Sequence, residues 1–127
     1  MNPAYRTAVF AVGKPPPSQP FWVVTACNPG GRTASEGENR RADLRLREAL
    51  VGRGESPSRV TGLAPDRSHA EPGWTIRSAE TARELAGRFR QEAYYRIHDD
   101  RLVLVETESG TEEDLGAWPP RIVGDRV

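Results

Sequence analysis

One cysteine, one lysine and no long apolar run are what the 127-residue chain conspicuously has little of. A single thiol, Cys27, excludes an internal disulfide framework and a cysteine-rich zinc site. No segment approaches the ~20 consecutive apolar residues of a membrane-spanning helix. The apolar piece Ala8–Val12 is too short for the core of a secretory signal and runs directly into GKPPP. The chain therefore reads as soluble and cytoplasmic. Net charge is missing as well, since 18 basic side chains balance 18 acidic ones. That balance disfavours nucleic acid and anionic lipid as partners. Lys14 apart, all the basic residues are arginine, which a base-composition bias explains without any function.

What is present organises into one domain over residues 1–127, with 1–4 and 108–116 expected to be flexible. Tyr5–Val12 alternates as a strand, and Lys14–Pro20 (KPPPSQP) must be an extended connector, because successive prolines lack the N–H and fix φ. Phe21–Cys27 is a second strand, apolar on both faces and so central in its sheet. Phe21, Val23, Thr25 and Cys27 point one way, and Trp22, Val24 and Ala26 the other. A first helix runs from Ser35 to about Arg53. Ser35 and Glu38 make a capping box at its start, and Ala42, Leu46, Ala49 and Leu50 form its buried stripe. Arg59–Leu63 and Trp74–Arg77 read as short strands around a loop, APDRSHAEPG. Ser78 caps a second helix with Ala82, Leu85, Ala86 and Phe89 inward. Ala93–Ile97 and Leu102–Glu106 flank a turn at Asp99-Asp100. The tail starts acidic, and Trp118 and Ile122 are placed to dock back on the body. The order β-β-α-β-β-α-β-β predicts an α+β fold, a mostly antiparallel sheet with both helices on one face.

The stretch TACNPGGRTASEGEN (Thr25–Asn39) carries the candidate site. A strand enters a glycine loop and leaves through a capped helix start, the general form of an anion cradle. Asn39 precedes Ala42 by three positions and Leu46 by seven, so it falls on the helix's inward stripe. Two readings follow. Asn28, Gly30, Gly31, Ser35 and Asn39, with Glu71 from the later loop, converge on a small polar or anionic ligand; or Asn39 hydrogen-bonds the 28–34 loop and pins it. The loop matches neither the P-loop nor the dinucleotide glycine pattern. Cys27 beside a helix start, with His69 or His98 as base, is the nucleophile of an enzymatic alternative, and Glu71 with His69 its acid–base pair. His69, Glu71, His98, Asp99 and Asp100 lack metal-ligand spacing, so neither a metal nor a cofactor is expected. Trp22, Trp74, Tyr94 and Tyr95 leave open a nucleic-acid or protein interaction surface.

The segment FWVVTACNPGGRTASEGEN, with AEPGW and FRQEAYYRI further on, resembles a family of small bacterial proteins grouped as a domain of unknown function. That family is marked by a strand ending T-A-x-N-P and a downstream S-x-x-x-N, here Thr25, Ala26, Asn28, Pro29, Ser35 and Asn39. The resemblance covers roughly Phe21 to Ile122 and implies no particular activity. In the family pattern a serine commonly follows the acidic residue of the later loop, whereas Pro72-Gly73 follows Glu71 here. The expected function is a binding or regulatory domain with a polar pocket at the junction of second strand and first helix. The alternatives are a small hydrolase or transferase using the same pocket, or an interaction module.

Overall fold

Two aromatic rings measure how far the sheet curls. In the computed structural model, which describes residues 1–124, Phe10 meets Tyr95 edge-on with ring centroids 5.0 Å apart. Phe10 lies on β1 (Val9–Val12) and Tyr95 on β5 (Ala93–His98). Between these two stand β3 (Arg59–Leu63), β4 (Ala70–Ile76) and β2 (Phe21–Thr25). Strands four places apart in a flat sheet would be ~19 Å from one another, so the contact requires the sheet to roll on itself. Strands β6 (Arg101–Glu106), β7 (Glu112–Ala117) and β8 (Ile122–Val123) complete an eight-stranded sheet in the order β7-β6-β5-β2-β4-β3-β1-β8. Among the described residues only the β1–β8 pairing is parallel. Trp118 fills the roll, its ring 5.1 Å from Phe10 and 6.0 Å from Phe21. With Val23, Ile97, Leu102 and Leu104 these rings form an inner core.

The outer face of the sheet carries α2 (Glu36–Gly52) and α3 (Ala79–Arg88), while α1 (Ala4–Thr7) is a short turn ahead of β1. The expected α+β class, with two helices on one face of a mostly antiparallel sheet, is what the chain adopts. Helical periodicity explains why. Ala42, Leu46 and Leu50 of α2 and Ala82, Leu85 and Ala86 of α3 are buried against Val24, Trp74, Ile76 and Val103. Full burial of each leucine contributes ~2 kcal/mol. Ser35 and Glu38 exchange both capping-box hydrogen bonds, and the Ser78 hydroxyl accepts the Thr81 N–H at 3.2 Å. Alternation along β2 holds too, with Phe21 and Val23 in the inner core and Val24 in the outer one.

Three boundaries differ from expectation, each for a local reason. The first strand begins at Val9 rather than Tyr5, since the β1–β3 ladder starts at the Val9–Leu63 pair and β3 ends there. The strand expected at Trp74–Arg77 instead runs Ala70–Ile76, through residues that read as turn formers. Pro72 is accommodated because the β2–β4 ladder stops one residue earlier, at Thr25 and Gly73, so β4 is locally an edge on that side. Gly73 relieves crowding, because a Cβ there would lie 3.1 Å from Val23 Cγ1, Thr25 Cγ2 and the Val24 carbonyl, tighter than ordinary contact. In the acidic tail, where the sequence predicts no strand, Glu112 opens β7, which pairs with β6. Its acidic run is matched by Arg96–Glu112, Arg6–Glu113 and Arg101–Asp114 ion pairs at 2.7, 3.0 and 2.9 Å. Trp118 docks as expected, and Ile122 pairs beside Phe10. Among the described residues, no helix is long and apolar enough to cross a membrane.

Candidate functional site

Strand β2 delivers the chain to Thr25, and three residues later Asn28 turns it. Asn28 adopts φ 47° and ψ 59°, a left-handed conformation that asparagine enters more readily than most residues. Its backbone N–H donates to Asn39 Oδ1 at 2.9 Å, and Asn39 Nδ2 donates back to Asn28 Oδ1 at 3.0 Å. Asn28 Oδ1 also accepts the Ala34 N–H at 3.0 Å. The Gly30 N–H goes to the Arg90 carbonyl at 2.7 Å, and the Gly31 N–H to the Asn28 carbonyl at 3.0 Å. Ser35 is occupied in the capping box. Asn28, Gly30, Gly31, Ser35 and Asn39 therefore do come together, and the hydrogen bonds described for them run within the junction and to the end of α3.

Glu71, the sixth expected residue, approaches from β4 at the end of the roll. Thr25 pairs with Gly73, and Glu71 is the next residue on that face, one full pleat further along. The Thr25 hydroxyl lies 2.9 Å from Gln91 Oε1 and 3.5 Å from Glu71 Oε1. Gln91, buried at 7% exposure, donates through Nε2 to the carbonyls of Cys27 and Phe89 at 3.0 and 3.1 Å. Its Oε1 must then be the acceptor, so the single Thr25 proton goes to Gln91, the nearer partner. The other Glu71 oxygen, Oε2, is 2.9 Å from His69 Nε2.

Tyr5 and Glu92 complete this end of the molecule. The Tyr5 ring packs on Tyr95 at 6.3 Å between centroids, and the Tyr95 hydroxyl donates to the Tyr5 carbonyl at 2.7 Å. Burial pushes the Tyr5 hydroxyl pKa up to about 12, helped by the charges of Glu71 and Glu92. Glu92 also faces the junction, since a Cβ on Gly31 would lie 3.2 Å from its Oε1.

Cys27 is 6% exposed, and its pKa is pushed up to about 12, first by burial and then by Glu71 and Asp43, against the opposing pull of Arg59. Burial and the two carboxylates thus favour the protonated thiol over the thiolate. His98 sits at the far end of β5, its Nδ1 3.3 Å from Asp99 Oδ2. Asp99 and Asp100, both with positive φ, form the expected tight turn. Among the described residues no group of three or more His, Cys, Asp or Glu side chains could hold a metal ion.

A cleft of about 1230 Å³ runs beside α3 rather than over the junction. Arg83, Glu84 and Gly87 border it along the helix, with Trp22, Tyr94 and Arg96 from the sheet. It reaches Gln91 and Glu92 at one end.

The family described as Protein of unknown function (DUF3293) matches residues 24–94. The chain belongs to that family. No curated protein and no solved structure shows significant similarity to it. The matched span holds Thr25, Asn28, Asn39, Glu71, Gln91 and Glu92, while Tyr5, His98 and strands β6 to β8 lie outside it. Gln91, Glu92 and Tyr5 were not among the residues singled out from the sequence. Gln91 sits at a helix–strand junction, where neither period applies and nothing local marks a polar residue as buried.

Proposed function

We propose that the chain is a small cytoplasmic binding domain that takes a compact polar ligand where β2, β4 and the start of β5 meet at the end of the roll. Glu71 and Thr25 are its primary contacts. Asn28, Gly30, Gly31, Ser35 and Asn39 serve in this reading as the rigid frame that holds Thr25 and the end of β2 in place.

The observation that carries the proposal is the state of Glu71 Oε1. It faces the Thr25 oxygen at 3.5 Å, and the Thr25 proton is directed to Gln91 instead. A half-buried carboxylate oxygen without a close donor is an acceptor awaiting one. Glu92 adds a second negative charge close by. An anion is disfavoured here, so the ligand class indicated is a hydrogen-bond donor such as a primary amine or a guanidinium.

Thermal unfolding in the presence of ethanolamine, spermidine, phosphate and citrate tests the reading. The amines are expected to stabilise the protein, by ~2.7 kcal/mol at a hundred times the dissociation constant. Glu71→Gln is expected to abolish that shift. Stabilisation by the anions alone, or an amine shift that survives Glu71→Gln, would overturn the proposal.

The cleft beside α3 favours a second reading, an interaction module, because it follows the helix and places Trp22 and Tyr94 beside Arg83 and Arg96. Aromatic and arginine side chains are the types that most often anchor protein partners. In that case Trp22→Ala would weaken capture of a partner while leaving the amine response intact.

A further inference from the structure

The chain ahead of β1 is tied down in an unusual way. Residues Ala4–Thr7 form one helical turn that buries none of its residues, and an N–H at Ala4 is capped by Asn2 Oδ1 at 2.9 Å. The turn is held to the body by polar contacts and by the Tyr5 ring, which packs against the inner core. Arg6 Nε reaches both carboxylate oxygens of Glu113 at 3.0 Å. Arg121 Nη1 donates to the Arg6 carbonyl at 3.0 Å, and the Tyr95 hydroxyl to that of Tyr5 at 2.7 Å. The Arg6 and Glu113 side chains are 45% and 47% exposed, so the latch is a solvated one, cheap to break and to remake.

The turn stands over the proposed ligand site. Tyr95 pairs with Val23, and Thr25 is the next residue on that face of β2, ~7 Å further along. A Tyr5 ring resting on Tyr95 is therefore a near neighbour of Thr25 and Glu71. The effect of both Glu71 and Glu92 on the Tyr5 hydroxyl agrees with that placement.

We propose that residues 1–7 form a strap that closes the Thr25–Glu71 site, with Tyr5 as the cover and the Arg6–Glu113 pair as the latch. The strap regulates access to the site assigned above and so rests on that reading. Opening pivots at Ala8, where the backbone is already extended at φ −59° and ψ 143°, and releases the Arg121 and Tyr95 hydrogen bonds to the Arg6 and Tyr5 carbonyls together with the Tyr5–Tyr95 contact. The β1 ladder and the inner core beyond it remain in place.

The experiment measures access directly and uses no ligand. In the protein carrying Cys27→Ser, Glu71→Cys provides a reporter thiol, and its reaction rate with 2-aminoethyl methanethiosulfonate is followed. Glu113→Arg, which turns the latch into a repulsion, is expected to raise the rate by about fivefold, and Tyr5→Ala by more. Adding Arg6→Glu to Glu113→Arg is expected to restore the slow rate. A Ser109→Cys reporter, away from the strap, should respond to none of these changes. If Glu71→Cys does not fold, Thr25→Cys takes its place. Equal rates with the latch intact and reversed, or no recovery in the charge swap, would overturn the strap. Because the rates are read without ligand, a failure of amine binding and a failure of the strap are separate results.

Discussion

Asn28 and Asn39 grip one another across the turn from β2 to α2. Asn39 Oδ1 holds the Asn28 backbone N–H at 2.9 Å, and Asn39 Nδ2 holds Asn28 Oδ1 at 3.0 Å. One carboxamide thus spends its donor and its acceptor on the residue that bends the chain. Asn39→Ala leaves a part-buried N–H and a carbonyl oxygen short of partners, and should cost about 1–3 kcal/mol in urea denaturation. Asn39→Asp should cost a similar amount, because it sets one acceptor against another. A residue serving only a ligand would leave the stability of the free protein unchanged.

Gln91, nearly fully buried, ties the end of α3 to Thr25 and Cys27 with two hydrogen bonds and makes a third to the Phe89 carbonyl at the helix end. Gln91→Leu matches its size but abandons the carbonyls of Cys27 and Phe89 and frees the Thr25 proton. We expect a loss of about 2–3 kcal/mol, with faster amide exchange at Gly30, whose N–H bonds the neighbouring Arg90 carbonyl. Unchanged exchange at Gly30 would mean that the α3 end is anchored by other contacts.

Gly73→Ala should destabilise by roughly 1–3 kcal/mol. The added methyl meets two side-chain methyls and a backbone oxygen at 3.1 Å, and the oxygen cannot move without disturbing the β2–β4 ladder. Wild-type stability in this variant would show that the ladder shifts freely.

Cys27 makes stability depend on pH in the alkaline range. Its folded pKa of about 12 lies above the ordinary 9.0, so folding favours the protonated thiol. The contribution is complete below pH 9.0 and is lost progressively as pH rises toward about 12. Cys27→Ala should flatten the decline of stability between those values. In the wild type, iodoacetamide at pH 8 should modify Cys27 far more slowly than it modifies the unfolded chain.

Local rules made part of this legible in advance. The stripes Ala42-Leu46-Leu50 and Ala82-Leu85-Ala86 follow from helical periodicity, and the same spacing puts Asn39 on the inward face. Ser35 and Glu38 announce their capping box. Residues 70–73 misled because Pro72 and Gly73 ordinarily mark a turn. Here one is excused by the end of a ladder, and the other relieves crowding from Val23 and Thr25. β7 was hidden by its acids, whose arginine partners lie on other strands or at the opposite end of the chain. Gln91 and Glu92 reach the site because β5 pairs with β2, and Tyr5 because the sheet rolls; no short window of sequence encodes either.

That roll also sets a timetable for synthesis. β1 leaves the ribosome well before its parallel partner β8 and the Trp118 ring that touches Phe10. Contacts between residues so distant in sequence are slow to find one another. Until Trp118 emerges, the concave face of the nascent sheet lacks the ring that bridges Phe10 and Phe21. The helix-covered face can assemble earlier, from residues 24–105. A half-made chain is thus finished on one side and exposed on the other, an arrangement that favours chaperone capture over early release.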